Sequence, residues 1–230
     1  MQNRSSLRNN NIAEKRFCLG FFLRLVDHAR MSSSIQSAVK EVAQAASFLQ
    51  QPASLAFMEQ VSVALVRCFE EGNKVLVAGN GGSLCDAMHI AEEFTGQFRA
   101  RRKPLPAIAL ADPSHMSCTA NDMGFSFIFS RLVEAYGKKG DILILLTTSG
   151  KSSNLVEAHR VARQSGLVTV TFSGKGGGDL QGESDLEWIV QGFRYSDRIQ
   201  ELHMAAAHII IEEVERRLFS LGISSCTAVV

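Results

Sequence analysis

The sequence predicts an α/β fold in which a doubly wound, mainly parallel sheet of five strands follows a helical lead-in. The first observation is a series of five short apolar runs that are rich in β-branched and large aliphatic residues. Their apolar residues are continuous rather than alternating, which is typical of strands buried on both faces of a parallel sheet. The second observation is that helical segments separate these runs, as they do in doubly wound sheets.

The N-terminal part of the pattern is helical. From about residue 34 to 71 apolar residues recur at helical spacing, and Pro52 divides them into two helices. The strands follow at 74–79, 106–110, 141–146, 168–172 and 185–190, with helices over 84–97, 126–137 and 152–165. An amphipathic helix over about 197–219 closes the pattern. We therefore expect a single domain over residues 31–230.

The composition and charge argue against two kinds of partner. Of the 230 residues 46% are hydrophobic and 20% are charged, which is ordinary for a globular protein. The formal net charge of +1 gives no reason to expect nucleic acid. No apolar run approaches the ~20 residues of a membrane span, so no membrane partner is expected either.

The first 30 residues differ from the rest of the chain. They hold six basic and two acidic residues, whereas the remaining 200 hold 18 basic and 21 acidic residues. We expect a poorly ordered extension over 1–30, with Met31 as the start of the folded part. An arginine-rich organellar presequence is the alternative. The five cysteines are scattered and form no C-x-x-C pair, which favours free thiols in a reducing cytoplasm.

Loops rich in glycine and hydroxyl residues follow four of the predicted strands, at the sheet edge where open α/β proteins bind ligands. They read "GNGGS", "ADPSHMSCTAND", "TTSGKSSN" and "SGKGGGD". The first loop lacks the third glycine of the dinucleotide fingerprint. The "GKS" at 150–152 has Leu145 where a Walker A loop needs glycine. A nicotinamide enzyme or an NTPase is therefore disfavoured.

Two of these loops suit a phosphate group. They are "GNGGS", which contributes Asn80, Gly81, Gly82 and Ser83, and "TTSGKSSN", called the second loop below, which contributes Thr147, Thr148, Ser149 and Ser152. Each loop opens a predicted helix, so backbone N–H groups, the helix dipole and hydroxyl donors can face an anion. For either loop alone the alternative is a tight turn with helix caps. The presence of both at adjacent strand ends favours an anion cradle.

Two helices carry candidate chemical groups. His89 and Glu93 are four residues apart and share one helix face, which suits joint metal ligation or a carboxylate base beside an imidazole. Cys85 lies on the same stripe and is a rival ligand. On the closing helix Gln200 and His208 lie along one side. The alternative for each set is a surface or capping contact.

Four ordered motifs carry a resemblance to a known family. They are "GNGGSLCDAMHIAEEFTG", "AIALADPSHMSCTANDMGF", "TTSGKSSN" and "RIQELHMAAAH". Together they resemble the sugar isomerase (SIS) domain family over about residues 35–219. The resemblance implies a flavodoxin-like sheet and an aldose–ketose isomerase. It would convert sedoheptulose 7-phosphate to D-glycero-D-manno-heptose 7-phosphate through an enediol(ate), for bacterial surface polysaccharide.

The resemblance also implies roles for single residues. Substrate binding falls to Asn80, Gly81, Gly82, Ser83, Glu93, Asn121, Asp122, Thr147, Thr148, Ser149, Ser152 and Gln200. One zinc ion per subunit would be held by His89, Glu93, Gln200 and His208. Glu93 and His208 would be the acid–base pair, in a homotetramer whose sites form at subunit interfaces. Leu84 and Gln97 depart from the family pattern, and the second departure could weaken substrate contact or shift preference.

Noncatalytic members of the family are the main alternative. Such a protein would bind a sugar phosphate, or a replication initiator, without turning anything over. It is expected to lose the carboxylate or the distal histidine, whereas this chain has both Glu93 and His208. An etherase or an aminosugar isomerase of the same fold would need a longer chain or a second domain. The residues therefore favour the enzyme.

Overall fold

The computed structural model describes residues 33–219. The predicted extension over 1–30 and the cysteines at positions 18 and 226 lie outside these residues. Helix α1 (Ser33–Ala46) falls mostly in a separate compact unit that ends at residue 44, and its spaced apolar residues form an amphipathic helix. Everything described below belongs to the unit that begins at Ala45.

This second unit alternates strands and helices. The strands are β1 (Val75–Gly79), β2 (Ala107–Ala109), β3 (Ile142–Leu146), β4 (Val168–Gly174) and β5 (Leu186–Val190). The helices are α2 (Pro52–Glu70), α3 (Gly82–Thr95), α4 (Pro113–Asp122), α5 (Ser130–Tyr136), α6 (Ser153–Gln164) and α7 (Ser196–Phe219). Short 3-10 turns lie at Ser47–Gln50, Phe125–Phe127 and Gly178–Leu180.

The five strands form one parallel sheet in the order β2-β1-β3-β4-β5. Val75 of β1 pairs with Ala107 on one side and with Ile142 on the other. The chain thus leaves β1 in one direction to form β2 and then returns to the other side to form β3. The prediction of a doubly wound parallel sheet of five strands is confirmed.

The sheet separates two apolar cores, because alternate residues of each strand point to opposite faces. On one face Val75 and Val77 pack in a core with residues of α2, α3 and α7. On the other face Leu76 and Ala78 pack with residues of α5 and α6. Every residue of β1 and β3 is buried, which explains the continuous apolar runs in the sequence.

One predicted loop is a helix. "ADPSHMSCTAND" was expected to be a loop after β2, but most of it forms α4. Asp112 accepts a hydrogen bond from the backbone N–H of His115 at 2.6 Å, and Pro113 occupies the first turn. This cap starts a helix although the segment has little apolar periodicity. Asn121 and Asp122 consequently end a helix instead of lying in a loop.

Candidate active site

The candidate site lies where the direction of the sheet reverses, between the carboxyl ends of β1 and β3. At such a point the loops that follow neighbouring strands turn away from each other and leave a crevice. Here the two loops are residues 80–81, which lead into α3, and residues 147–152, which lead into α6. The start of α7 is the third wall of the crevice.

A cavity of about 230 Å³ occupies this crevice. Its lining consists of Asn80, Ser83, Leu146, Thr147, Thr148, Ser149, Ser152, Leu155, Ser196 and Gln200. Eight of these ten side chains carry a hydroxyl or amide group, and none of the described lining residues carries a formal charge. Such a lining can donate several hydrogen bonds to an anion. Asn80, Ser83 and all four hydroxyl residues predicted for the second loop are thus brought together with Gln200.

Hydrogen bonds between and within the loops fix the shape of the cavity. The side-chain amides of Asn80 and Asn154 donate to each other's oxygen, both at 2.9 Å, and so join the β1 loop to α6. The hydroxyl oxygen of Thr147 accepts from the backbone N–H of Gly150 at 3.0 Å. Asn154 is only 1% exposed. The hydroxyl-lined loop is therefore held in place before any ligand binds.

Glycine at position 82 lets α7 approach the first loop closely. A Cβ atom at Gly82 would lie 2.8 Å from Nε2 of Gln200, closer than nonbonded atoms approach. The Gln200 amide donates to the hydroxyl of Ser83 at 3.2 Å. Gly81 has φ +56°, a conformation that residues with a side chain rarely adopt. The glycines therefore shape the cavity and position Gln200.

Sequence reasoning missed two side chains at the edge of this cavity. Ser196 lines it and shares a hydrogen bond of 3.0 Å with the hydroxyl of Thr148. Lys175 donates from Nζ to the Ser196 hydroxyl at 3.4 Å, so a cation lies beside the uncharged lining. Lys175 has φ +52°, which is unusual for a residue other than glycine. Its loop, "SGKGGGD", was a candidate, but nothing in the sequence distinguished the lysine.

A second group of polar side chains lies farther along α3 and α7. His89, Glu93 and His208 each present one potential ligand atom, and these atoms lie within 4.8 Å of one another. Nε2 of His89 is 3.2 Å from Oε1 of Glu93. The rings of His89 and His208 meet edge to face, with centroids 5.0 Å apart. We call these three residues the His–Glu–His cluster.

His208 has an incomplete set of hydrogen bonds. Its Nε2 atom is buried and has no hydrogen-bond partner among the described residues. Burial lowers the pKa of His208, the neighbouring His89 and Arg99 lower it further, and Glu93 opposes them. The imidazole is therefore held neutral near pH 7, with a nitrogen lone pair available. A buried polar atom without a partner is costly, so this nitrogen is suited to receive a ligand.

A family model described as the SIS domain matches residues 34–174. A phosphoheptose isomerase of Fusobacterium nucleatum is 55% identical over 161 residues, which cover 70% of this chain and 82% of that protein. The phosphoheptose isomerase of Pectobacterium atrosepticum is 45% identical over 185 residues, covering 80% of this chain and 96% of that one. The chain belongs to the phosphoheptose isomerase family of SIS-domain proteins. The predicted membership of the SIS family is confirmed.

Solved structures of phosphoheptose isomerases have the same fold. The structure from Francisella tularensis superposes with a TM-score of 0.76 at 34% identity and covers 81% of this chain and 100% of that chain. The structure from Neisseria gonorrhoeae gives a TM-score of 0.72 at 30% identity, with 79% and 97% covered. Among the helices of residues 33–219, none is long and apolar enough to cross a bilayer.

The remaining predicted residues lie apart from the His–Glu–His cluster. Within one chain Gln200 lies eight residues before His208, about 12 Å away along the helix axis. Its amide contacts Ser83 instead. Asn121 and Asp122 are exposed, bond to each other at 2.7 Å and do not line the cavity. The rival ligand Cys85 is exposed and is not part of the cluster.

Proposed function

We propose that this chain is a cytoplasmic aldose–ketose isomerase that converts sedoheptulose 7-phosphate to D-glycero-D-manno-heptose 7-phosphate, for the heptose of bacterial surface polysaccharide. One observation carries the proposal: the hydroxyl-lined cavity and the His–Glu–His cluster lie on the same pair of helices, α3 and α7. The first is suited to a phosphate group and the second to proton transfer. The names of its relatives support the choice of substrate.

The spacing of the two groups supports a long sugar phosphate. Ser83 and His89 are six residues apart on α3, or about 9 Å along the axis, and Gln200 and His208 are about 12 Å apart on α7. An extended seven-carbon chain with its phosphate ester is about 10 Å long, taking carbon–carbon bonds of about 1.5 Å. A phosphate held by Ser83 and its neighbours would then place C1 and C2 at the cluster. A shorter sugar phosphate would span less of this spacing.

The chemistry requires a proton to move between C1 and C2 of the open-chain sugar. The Glu93 carboxylate is 14% exposed, and we propose that it abstracts this proton as the general base. The neutral imidazole of His208 is suited to exchange protons with the oxygens on C1 and C2. The enediol(ate) forms between these two groups. The phosphate cavity, far from the reacting carbons, supplies orientation.

The His–Glu–His cluster also fits a metal ion. Its three ligand atoms are close enough to share one ion, and the unpartnered Nε2 of His208 would gain a ligand. Imidazole and carboxylate are donors that zinc accepts, so we propose one Zn²⁺ per subunit on His89, Glu93 and His208. An ion held by these residues would supply Lewis-acid polarisation of a carbonyl oxygen. Coordination to a metal ion lowers the basicity of a carboxylate, so the two roles of Glu93 compete. We give its role as the general base more weight than its role as a ligand.

We also propose a homotetramer with sites at subunit interfaces. Gln200 is the fourth ligand that the family resemblance implies, yet the same chain carries it about 12 Å from His208 along α7. A metal at the cluster could therefore take this amide oxygen only from a second copy of the chain. Asn121 and Asp122, which are exposed here, would likewise contribute sugar contacts across such an interface.

The function is tested by incubating the purified protein with sedoheptulose 7-phosphate and following the aldoheptose phosphate by NMR. We expect conversion to the aldose and much slower reaction of a five-carbon ketose phosphate, which is too short to span both groups. Saturable binding of sedoheptulose 7-phosphate without conversion would support the noncatalytic alternative instead. Dialysis against a chelator, followed by metal analysis, tests the ion: full activity in metal-free protein would contradict the zinc proposal.

A further inference from the structure

We propose that Arg102, paired with Glu215, is a positioning residue that fixes the backbone at Glu93 and joins it to α7. The proposal rests on the proposed function, because it concerns the geometry of the proposed acid–base pair. Both side chains are only 1% exposed, and Nε of Arg102 donates to Oε1 of Glu215 at 2.5 Å. The two residues are 113 positions apart in the sequence.

The other donors of Arg102 reach the end of the helix that carries Glu93. Nη2 donates to the backbone carbonyl of Glu93 itself, and Nη1 donates to the carbonyl of Phe94, both at 2.6 Å. These carbonyls belong to the last turn of α3, where the intrahelical ladder runs out of donors. A planar guanidinium holds two adjacent carbonyls and a carboxylate with five N–H donors in a fixed fork, whereas the three donors of an ammonium group lie on one freely rotating nitrogen. The peptide group of Glu93 is thus held by a rigid, buried fork.

The pair also connects this segment to the helix that carries His208. Glu215 lies on α7, seven residues after His208, and its second oxygen accepts from the backbone N–H of Arg99 at 3.3 Å. The same segment places the ring of Phe98 against the imidazole of His208, with centroids 5.6 Å apart and planes at 23°. This segment therefore contacts the imidazole of His208 through Phe98 and the backbone carbonyl of Glu93 through Arg102.

A buried ion pair is seldom a strong source of stability, because desolvation of both charges offsets their attraction. An apolar pair of similar size would serve packing as well or better. What an apolar pair cannot do is bond the carbonyl of Glu93. We therefore infer that the pair sets the position of Glu93 relative to His208. Proton transfer and metal ligation both depend on that position.

Four variants separate positioning from stability. Arg102→Met leaves Glu215 charged and unpaired, so it should unfold at a lower temperature and lose turnover. The double variant Arg102→Met, Glu215→Leu removes both charges and should regain thermal stability. Arg102→Lys keeps the positive charge but loses the fixed planar fork that holds both carbonyls. Arg217→Met is the matched control, since Arg217 joins α7 to Glu59 of α2 at 2.7 Å, away from the cluster.

We expect the double variant and Arg102→Lys to show kcat lowered about 10- to 100-fold, as for other residues that orient ligands, with KM nearly unchanged. Zinc affinity, measured by competition with a chromogenic chelator, should weaken by a similar factor in both, and Arg217→Met should match the wild type in both. A double variant with wild-type stability, kcat and zinc affinity would overturn the proposal. If the wild type shows no isomerase activity, the proposed function fails, while the zinc measurement still tests the positioning of the cluster.

Discussion

Lys175 offers a direct test of how the phosphate is held. The cavity lining carries no formal charge among the described residues, and Lys175 donates to Ser196 at its edge. We predict that Lys175→Met weakens substrate binding without affecting the chemical step. The lysine would attract the phosphate from outside the lining, while the reacting carbons lie at the far end of the substrate.

The size of the effect follows from the geometry. A phosphate that contacts the Ser196 hydroxyl at about 2.8 Å would lie within about 6 Å of Nζ, since that nitrogen is 3.4 Å from the same hydroxyl. At a solvent-exposed edge with an effective dielectric constant of about 60, a dianion at this distance gains about 2 kcal/mol. Screening at physiological salt halves this to about 1 kcal/mol. KM should therefore rise about fivefold, with kcat unchanged.

The assay is steady-state kinetics on sedoheptulose 7-phosphate at low and at 1 M salt. Lys151→Met is the matched control, because Lys151 lies in the hydroxyl-rich loop but lines a separate surface pocket with Ser126 and Phe127. The control should change KM less than twofold, and the effect of Lys175→Met should shrink at high salt. Equal effects of the two substitutions, or a loss of kcat alone in Lys175→Met, would refute the reasoning.

Two further predictions concern binding and stability. In Gly82→Ala the new Cβ would meet the Gln200 amide at 2.8 Å and displace it, so KM should rise several-fold. Unfolding temperature should hold or rise, because alanine favours helix; an unchanged KM would contradict the role of Gln200. His203 is fully buried and forms no hydrogen bond with the side chains of the cluster. Its Nε2 contacts the Ser173 carbonyl. Burial lowers the pKa of His203 from 6.5 to about 4. The unfolded chain therefore binds this proton first, and as pH falls from 6.5 to 4 the free energy of unfolding should drop about 3 kcal/mol more in the wild type than in His203→Gln. Parallel pH curves from urea unfolding would show that prediction to be wrong.

The strands and most helices could be predicted because their signals are local. Continuous apolar runs identified all five strands within a few residues, since a strand buried on both faces has no polar alternation. Helix α4 was missed because its sequence has little apolar periodicity, and its start depends on the cap at Asp112. The Asp-Pro pair at 112–113 was the available signal.

The candidate site was predictable only in part. The residues of the hydroxyl-rich loop are close to one another in sequence, and so are His89 and Glu93, so local spacing suggested each set as a candidate. Other contacts depend on the tertiary fold. Arg102 and Glu215 meet across 113 positions, and Lys175 meets Ser196 across 21. No local pattern encodes such pairs, and single charged residues in a sequence are most often solvent-exposed.

The central claim is that Glu93 moves a proton between C1 and C2 while the phosphate is held at a distance on the same helix pair. Isomerisation in D₂O tests it most directly, comparing the wild type with Glu93→Gln, whose neutral amide keeps the shape of the side chain. We predict that the wild-type product carries solvent deuterium on carbon. Glu93→Gln should bind sedoheptulose 7-phosphate with similar affinity yet lose turnover and deuterium incorporation by about 10²–10⁴-fold. Near-normal turnover or near-normal deuterium incorporation in Glu93→Gln would contradict the account.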